Sequence, residues 1–186
     1  MEHRYSPAGI EPDAAQQVSD LLQERLLAML DLGLTLKHVH WNVVGPGFIG
    51  VHEMLDEHVA SVRSMGDELA ERIATLGGIP NGLPGHLARH RTWDDYALGR
   101  GVVAAHLGAL ERVYDGVIGG HRETLAKVEP LDVVSHDVPL SQTRQLEKLQ
   151  WFVRAHIENT SGRLPPVGEE TPLDAAAAAA VADPLG

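Results

Sequence analysis

Residues 38–56 read HVHWNVVGPGFIGVHEMLD, and DELAE follows at residues 67–71. The longer stretch joins the end of one predicted helix to the start of the next. The two stretches contain several side chains of types that bind metals, among them His40, His52, Asp56, Asp67 and Glu71. They are either ordinary polar positions on helices or metal ligands, and helix geometry bears on that choice.

Four long helices are predicted, over residues 13–41, 50–76, 93–127 and about 137–159. On the first helix, one face is apolar at steps of three, four or seven residues and ends in a histidine. That face comprises Val18, Leu22, Leu26, Met29, Leu36 and His40. No stretch alternates as a strand does. The prediction is therefore an all-α, antiparallel four-helix bundle with a long crossover between helices two and three.

Local signals set the predicted helix ends. The second helix stops at a Gly-Gly pair, and residues 77–91 form a connection rich in glycine and proline. Thr92 with Asp95 resembles a capping box that opens the third helix. The fourth helix is predicted to begin near Asp137, because Pro139 suits a first turn.

Tails flank the predicted bundle. The division is an N-terminal tail of residues 1–12, a bundle of residues 13–160 and a C-terminal Pro/Ala-rich tail of residues 161–186. Asp174 could cap one or two turns of the alanine run, but so short a helix is marginal alone in water. The C-terminal tail is expected to be flexible or to lie on a surface.

The composition excludes several classes of protein. The 186 residues are 44% hydrophobic and predict one globular domain. The absence of cysteine excludes disulfides and thiolate metal sites. No apolar run has the length of a signal peptide or a membrane span, so a cytoplasmic location is expected. The net charge of −11 opposes contact with nucleic acid and anionic membranes.

His52 and Asp56 are four residues apart and face the same way on the second helix. Asp67 and Glu71 repeat this spacing. On a surface helix the four would form a solvated polar stripe. In a bundle the same face is buried, and buried carboxylates without partners are so costly that they imply cations.

Distance separates the two pairs. Asp56 and Asp67 are about 16 Å apart along the helix axis, whereas ligands across one ion are only about 4–5 Å apart. One chain cannot close both pairs around one ion, but two copies crossing antiparallel about a twofold axis can. Any metal site here is therefore predicted to be shared between two subunits.

His40 continues the apolar face of the first helix toward His52 and Asp56, whereas His38 points elsewhere. A lone histidine on an apolar face is ordinarily a hydrogen-bonded core residue, but these neighbours favour a ligand. Mixed histidine and carboxylate ligands suit iron, manganese or zinc.

KHVHWNVVGPGFIGVHEMLDEH (residues 37–58), followed by GDELAERIATLGG (residues 66–78), resembles the Dps family, the mini-ferritins known as DNA-binding proteins from starved cells. The specific features are the His-Trp pair, the histidine twelve residues later, Asp56 and the Asp-x-x-x-Glu motif. LEKLQWFVRAHIE (residues 146–158) resembles the last helix of the family. The resemblance covers about residues 15–160 and is greatest to the actinobacterial branch.

The resemblance implies a ferritin-like fold, a hollow homododecamer and a ferroxidase site at each twofold interface. One subunit would supply His40, His52 and Asp56, and its mate Asp67 and Glu71. Iron would be oxidised from Fe2+ to Fe3+, with peroxide commonly preferred to dioxygen, and stored as mineral; no haem is expected. Trp41 would either intercept one-electron oxidants beside the site or pack in the core, where Trp93 and Trp151 are also predicted to pack.

Two alternatives from other classes stay open. A nucleoid-protecting DNA-binding protein would need basic tails, whereas both tails here are net acidic and contain no lysine. The charge of the tails therefore argues against direct DNA binding. A divalent-metal reservoir without redox turnover would use the same ligands with zinc or manganese.

Iron must enter a hollow shell, and in the resembled family acidic residues near the start of the last helix line threefold pores. Asp137 is the first candidate and Asp132 the second, with Glu129 in the same region. One carboxylate per chain, repeated three times, would concentrate cations at the pore. Each could instead be a helix cap or a solvated turn residue.

Overall fold

The computed structural model describes residue 5, residues 7–158 and residues 171–182. Six helices and two very short strands lie in these ranges. In chain order they are α1 (Pro12–Asn42), β1 (Val43–Val44), α2 (Phe48–Thr75), α3 (Pro84–His90), β2 (Gly101–Val102), α4 (Val103–Val128), α5 (Val133–Ile157) and α6 (Pro172–Ala182). The fold is the predicted all-α bundle with a long crossover between α2 and α4.

The four long helices enclose one apolar core. α1 packs along α2, α4 packs along α5, and α1 also contacts α4. The whole predicted face of α1, from Val18 to His40, is buried. Large side chains from all four helices fill the centre, among them Leu36, Leu55, Leu110, Tyr114 and Leu146. The helical periodicity of α1 thus predicted which side faces the core.

The crossover differs from the prediction. α4 begins at Val103 rather than at residue 93, and a short helix, α3, lies within the segment predicted to be irregular. Thr92 and Asp95 do not cap a helix, because Asp95 is exposed and pairs with Arg91. Arg91 also donates two hydrogen bonds to Asp31 of α1, at 3.0 and 3.1 Å, which fixes the crossover to the bundle.

β1 and β2 form a parallel pair that the sequence did not predict. Val43 lies opposite Gly101, and Val44 opposite Val102. Two residues per strand are too few for the alternating pattern that identifies a strand from sequence. The pair attaches the α1–α2 connection to the residues just before α4.

α5 begins earlier than predicted, at Val133, with Asp132 as its N-cap. The Asp132 carboxylate accepts hydrogen bonds from the backbone N–H groups of Val134 and Ser135. Pro139 therefore lies inside the helix rather than in its first turn. Its ring leaves the carbonyl of Ser135 without the usual helical donor.

α6 places part of the C-terminal tail on the surface of the bundle. Thr171 caps it, since its Oγ1 accepts from the N–H of Asp174 at 3.2 Å. Ala175, Ala176 and Ala179 are buried against α4. The helix is longer than the one or two turns predicted, because packing on α4 stabilises a segment that would be marginal alone.

The predicted domain limits fall partly beyond the described ranges. Residues 1–4, 6, 159–170 and 183–186 lie outside the described residues, so the ends of both predicted tails lie there. None of the helices within the described ranges is both long enough and apolar enough to cross a membrane.

Candidate metal centre

The connection between α1 and α2 brings the two predicted histidines together. Gly45 and Gly47 have φ angles of 94° and 75°, a left-handed region that glycine enters without strain. Gly47 is also the N-cap of α2. The sharp turn lays the first turns of α2 against the last turns of α1, so that His40 and His52 stack with ring centroids 3.6 Å apart.

The two imidazoles hold each other in place through backbone hydrogen bonds. Nδ1 of His40 lies 2.9 Å from the carbonyl of His52, and Nδ1 of His52 lies 3.0 Å from the carbonyl of His40. A carbonyl can only accept, so each Nδ1 carries the proton. With the proton on Nδ1, Nε2 is the nitrogen through which each imidazole would bind a metal.

Asp56 completes a cluster of three candidate ligands. Ligand atoms of His40, His52 and Asp56 lie within 4.8 Å of one another. Asp56 is four residues beyond His52, one turn along α2, and its Oδ1 lies 3.5 Å from Nδ1 of His40. The carboxylate is half-exposed, whereas His40 is buried, so the cluster opens toward the surface of the bundle.

Lys37 is a neighbour of the cluster that the sequence did not single out. Its ammonium group donates a 2.5 Å hydrogen bond to Oδ1 of Asp56, and this bond lowers the pKa of Asp56. His40 and His52 lower the pKa further. Lys37 precedes His40 by three residues on α1, which is the only sequence signal for the contact.

Asp67 and Glu71 lie elsewhere on α2 and are both exposed. They are absent from the ligand cluster, which is the single group of three or more candidate metal ligands within the described ranges. One chain therefore presents two histidines and a carboxylate on one side of an open site. We call these three residues, His40, His52 and Asp56, the half-site.

Large apolar side chains are exposed on α1 and at the start of α2, the two helices that carry the half-site. Leu34, Trp41 and Ile49 are 62%, 71% and 60% exposed, and Phe48 contacts the His52 ring at 5.1 Å between centroids. An apolar groove of about 560 Å³, lined by α1, α2 and the crossover around α3, includes Leu34 and Asp67. Exposed apolar surface of this kind is typical of a protein interface.

The three tryptophans do not all lie where the sequence predicted. Trp93 packs against the core as expected, but Trp41 and Trp151 are largely exposed, so core packing is wrong for both in the isolated chain. Helical position places them on outward faces. Their large apolar side chains make a partner surface the natural place for them to be covered.

The candidate pore residues have different surroundings. Asp132 caps α5 and pairs with Arg72 at 2.9 Å, so its charge is already neutralised locally. Asp137 is exposed on the first turns of α5, as is Glu129 just before that helix. Asp137 is therefore the better candidate for a carboxylate that faces solvent.

Comparison with known proteins shows to which family the fold belongs. Residues 19–162 match the ferritin-like domain family. A four-helix bundle with metal ligands on facing helices is the architecture of that class. Two relatives and two solved structures show which group of ferritin-like proteins the chain resembles.

The chain is 54% identical over 172 residues to the DNA protection during starvation protein of Mycolicibacterium smegmatis, covering 92% of this chain and 94% of the relative. It is 47% identical over 160 residues to the fine tangled pili major subunit of Haemophilus ducreyi, covering 86% and 85%. The solved structure of Mycobacterium smegmatis Dps has a TM-score of 0.88 at 53% identity, with 92% of this chain and 97% of that chain covered. DpsA14 from Streptomyces coelicolor has a TM-score of 0.86 at 51% identity, covering 88% and 98%.

The chain belongs to the Dps family of ferritin-like proteins. Membership supports a general role in iron storage and in protection during starvation.

Proposed function

We propose that this protein is a ferroxidase that oxidises Fe(II) at sites shared between two subunits and stores the ferric product inside a hollow shell of twelve chains. The observation that carries the proposal is the half-site, with ligand atoms of His40, His52 and Asp56 within 4.8 Å of one another. Iron is the substrate here, and peroxide is the proposed oxidant.

The ligand set of the half-site suits Fe(II). Two imidazoles and a carboxylate with open positions are the donors that redox-active iron accepts in proteins. The reciprocal backbone bonds hold both Nε2 atoms free and the rings in a fixed orientation. A carboxylate also favours the harder Fe(III) product, which helps oxidation. Open positions leave room for the oxidant.

A second copy of the chain would supply the missing carboxylates. Asp67 and Glu71 are about 16 Å and more along α2 from Asp56, too far to reach the same ion. Two α2 helices crossing antiparallel about a twofold axis would bring these side chains to the half-site of the partner. The exposed Leu34, Trp41 and Ile49 would be covered by the same contact.

Lys37 would act as a counter-cation when iron is absent. Its ammonium group donates to Oδ1 of Asp56, one of the two oxygens through which that carboxylate could bind a metal. Fe(II) would have to displace it, which lowers the affinity for the first iron but keeps the site free of weakly binding cations. Because the ligand set is small, one iron would be held firmly at each site, and a second would need Asp67, Glu71 or water as a bridge.

Subunit mixing tests whether the site is shared. His52→Ala and Glu71→Ala each remove one half of every site, so shells of either variant alone should oxidise iron slowly. In a dimer with one chain of each variant, one site lacks both side chains and the other site lacks neither. Random co-assembly of equal amounts should therefore restore about a quarter of the wild-type rate. The measurement is the rise in ferric absorbance after Fe(II) and peroxide are added.

A matched pair controls the mixing experiment. His52→Ala and Asp56→Ala damage the same half of the site, so their mixed dimers contain no intact site and should show no recovery. An absence of recovery in His52→Ala and Glu71→Ala shells that mass spectrometry shows to be mixed would indicate a site within one chain. Equal recovery in both mixtures would show that the readout is not reporting site assembly.

The competing function is a reservoir for divalent metals without turnover, since zinc and manganese accept the same ligands. A ferric signal that depends on peroxide and is suppressed by zinc supports the ferroxidase; iron binding without oxidation supports the reservoir. Direct DNA binding is not part of the proposal; the name of a relative refers to DNA protection, which does not require contact with DNA. The net charge of −11, repeated in every subunit, would repel phosphate.

A further inference from the structure

A second pair of histidines lies on the crossover, far along the chain from the half-site. His86 and His90 are four residues apart on α3 and stack with ring centroids 4.0 Å apart and planes at 27°. His90 is exposed and His86 is half-buried. Neither takes part in the proposed iron chemistry.

The helix that carries this pair is fixed at both ends. Before α3, the backbone N–H of Asn81 donates to the Gln23 side chain at 2.8 Å, and Gln23 donates back to the Asn81 carbonyl at 3.0 Å. After α3, Arg91 donates two hydrogen bonds to Asp31. The pair is therefore presented by a segment that is anchored to α1 on both sides, which pre-organises the two rings.

The protonation of the rings suits metal binding. Nδ1 of His90 lies 2.9 Å from the carbonyl of His86, so Nδ1 carries the proton and Nε2 is free. Desolvation lowers the pKa of His86, and the neighbouring His90 and Arg89 lower it further, so His86 is neutral at neutral pH. Neutral imidazole is the form that binds metals.

From the stacked imidazoles of His86 and His90 on the anchored helix α3, we infer a second metal-binding site, for a borderline divalent cation such as Zn2+. Two histidines at this spacing on one helix face can ligate the same ion, as in the H-E-x-x-H arrangement. No carboxylate joins the pair to form a larger ligand cluster within the described residues. Imidazole alone selects borderline cations over the harder ions that carboxylates prefer, and water would complete the coordination.

Zinc titration tests this inference. The protein used is the assembled full chain with His52→Ala and Asp56→Ala, so that the half-site cannot compete for the ion. Calorimetry near neutral pH should show one zinc per chain. A further His86→Ala or His90→Ala change should weaken this binding roughly 100-fold, because the two imidazoles bind as a linked pair.

His156→Ala is the matched control. His156 is exposed on α5, and its Nδ1 makes the same contact with the carbonyl four residues earlier, at 2.7 Å from Phe152. Its removal should leave the affinity for zinc unchanged. Equal affinity with and without His90 would overturn the inference, because each ring would then bind alone.

A second measurement does not depend on any variant. Crystals of the unaltered protein soaked in Zn2+ should give an anomalous peak about 2.0–2.1 Å from Nε2 of both His86 and His90. A peak at only one ring, or none at a zinc concentration that fills the half-site, would contradict the proposal.

Discussion

Asp132 shows at the scale of one residue how a carboxylate is fixed by several partners at once. It accepts from the N–H groups of Val134 and Ser135 at 3.3 and 3.0 Å, and from Arg72 of α2 at 2.9 Å. Burial alone would raise the pKa of Asp132, but the hydrogen bonds from Ser135 and Arg72 outweigh it and the pKa is lowered. The contact joins the start of α5 to α2.

Replacing Asp132 should destabilise the fold in a way that depends on pH. We expect Asp132→Ala to lower the free energy of unfolding by about 1–3 kcal/mol near neutral pH, through the lost cap and the lost bond to Arg72. The contribution of a group with a lowered folded pKa is present above its unfolded pKa and lost as the pH falls through the folded pKa. The difference from wild type should therefore shrink as the pH falls below about 4. Urea unfolding at a series of pH values measures this.

Asp132→Asn separates the two roles, because asparagine keeps the cap and loses the charge. It should recover part of the stability at neutral pH and show less pH dependence than wild type. A constant difference between wild type and both variants across the acid range would show that the charge of Asp132 contributes nothing.

At the residue scale, the sequence predicted the three residues of the half-site but not the side chains around them. The spacing of His52 and Asp56 follows from helix geometry, and the apolar face of α1 correctly places His40 toward α2. Lys37 was missed because a surface cation has no periodic signal. Core packing was wrong for Trp151, and as one of the two alternatives for Trp41, because an aromatic residue is equally suited to a core and to an interface, and only the fold distinguishes the two.

At the scale of elements, the errors came from local signals that tertiary contacts override. Thr92 and Asp95 have the spacing of a capping box, but Asp95 is taken by Arg91 and the glycines at 99 and 101 precede α4. Proline is common in the first turn of a helix, so Pro139 placed the predicted start of α5 near Asp137. The cap at Asp132 starts α5 earlier, and Pro139 lies inside the helix. Helix interiors were predictable from hydrophobic period, whereas their first residues depended on partners distant in sequence.

α6 offers a prediction at the same scale, because it lies on a glycine of α4. A Cβ added to Gly108 would lie 2.5 Å from the carbonyl oxygen of Ala175 and 2.6 Å from Cβ of Ala179. Gly108→Ala should therefore displace α6, and a detached alanine helix of this length would largely unfold. Hydrogen exchange at residues 172–182 should become faster by at least about tenfold.

Gly116→Ala is the control on the same helix. An added Cβ there meets nothing within 4 Å, so α4 should be slightly stabilised and α6 unaffected. If the two variants show equal exchange at residues 172–182, close packing at Gly108 does not hold α6 in place.

At the scale of the whole molecule, the question is how cations would enter an assembled shell. Asp137 is exposed on the first turns of α5, free of the cap and the arginine contact that occupy Asp132. Three copies around an axis would give a concentrated negative field. The proposed pore thus rests on Asp137, with Glu129 as the neighbouring acid.

Asp137→Asn should slow iron uptake several-fold at low ionic strength and less at high ionic strength, because salt screens the field that attracts cations. Stopped-flow measurement of ferric formation at two salt concentrations gives the comparison. Asp13→Asn, which removes the same charge from the exposed first turn of α1, should have no such effect. Uptake by an intact Asp137→Asn shell that is unchanged at low salt would remove this residue from the pore.

The small parallel pair of Val43–Val44 with Gly101–Val102 also limits how far a change in the length of the crossover can disturb the half-site. The pair holds together two points separated by nearly sixty residues of chain. The entropic cost of closing such a loop grows only with the logarithm of its length. Doubling the loop would cost about 0.6 kcal/mol. Insertions between Arg91 and β2, beyond the segment that is anchored to α1, should therefore be tolerated while the turn that follows His40 stays where it is.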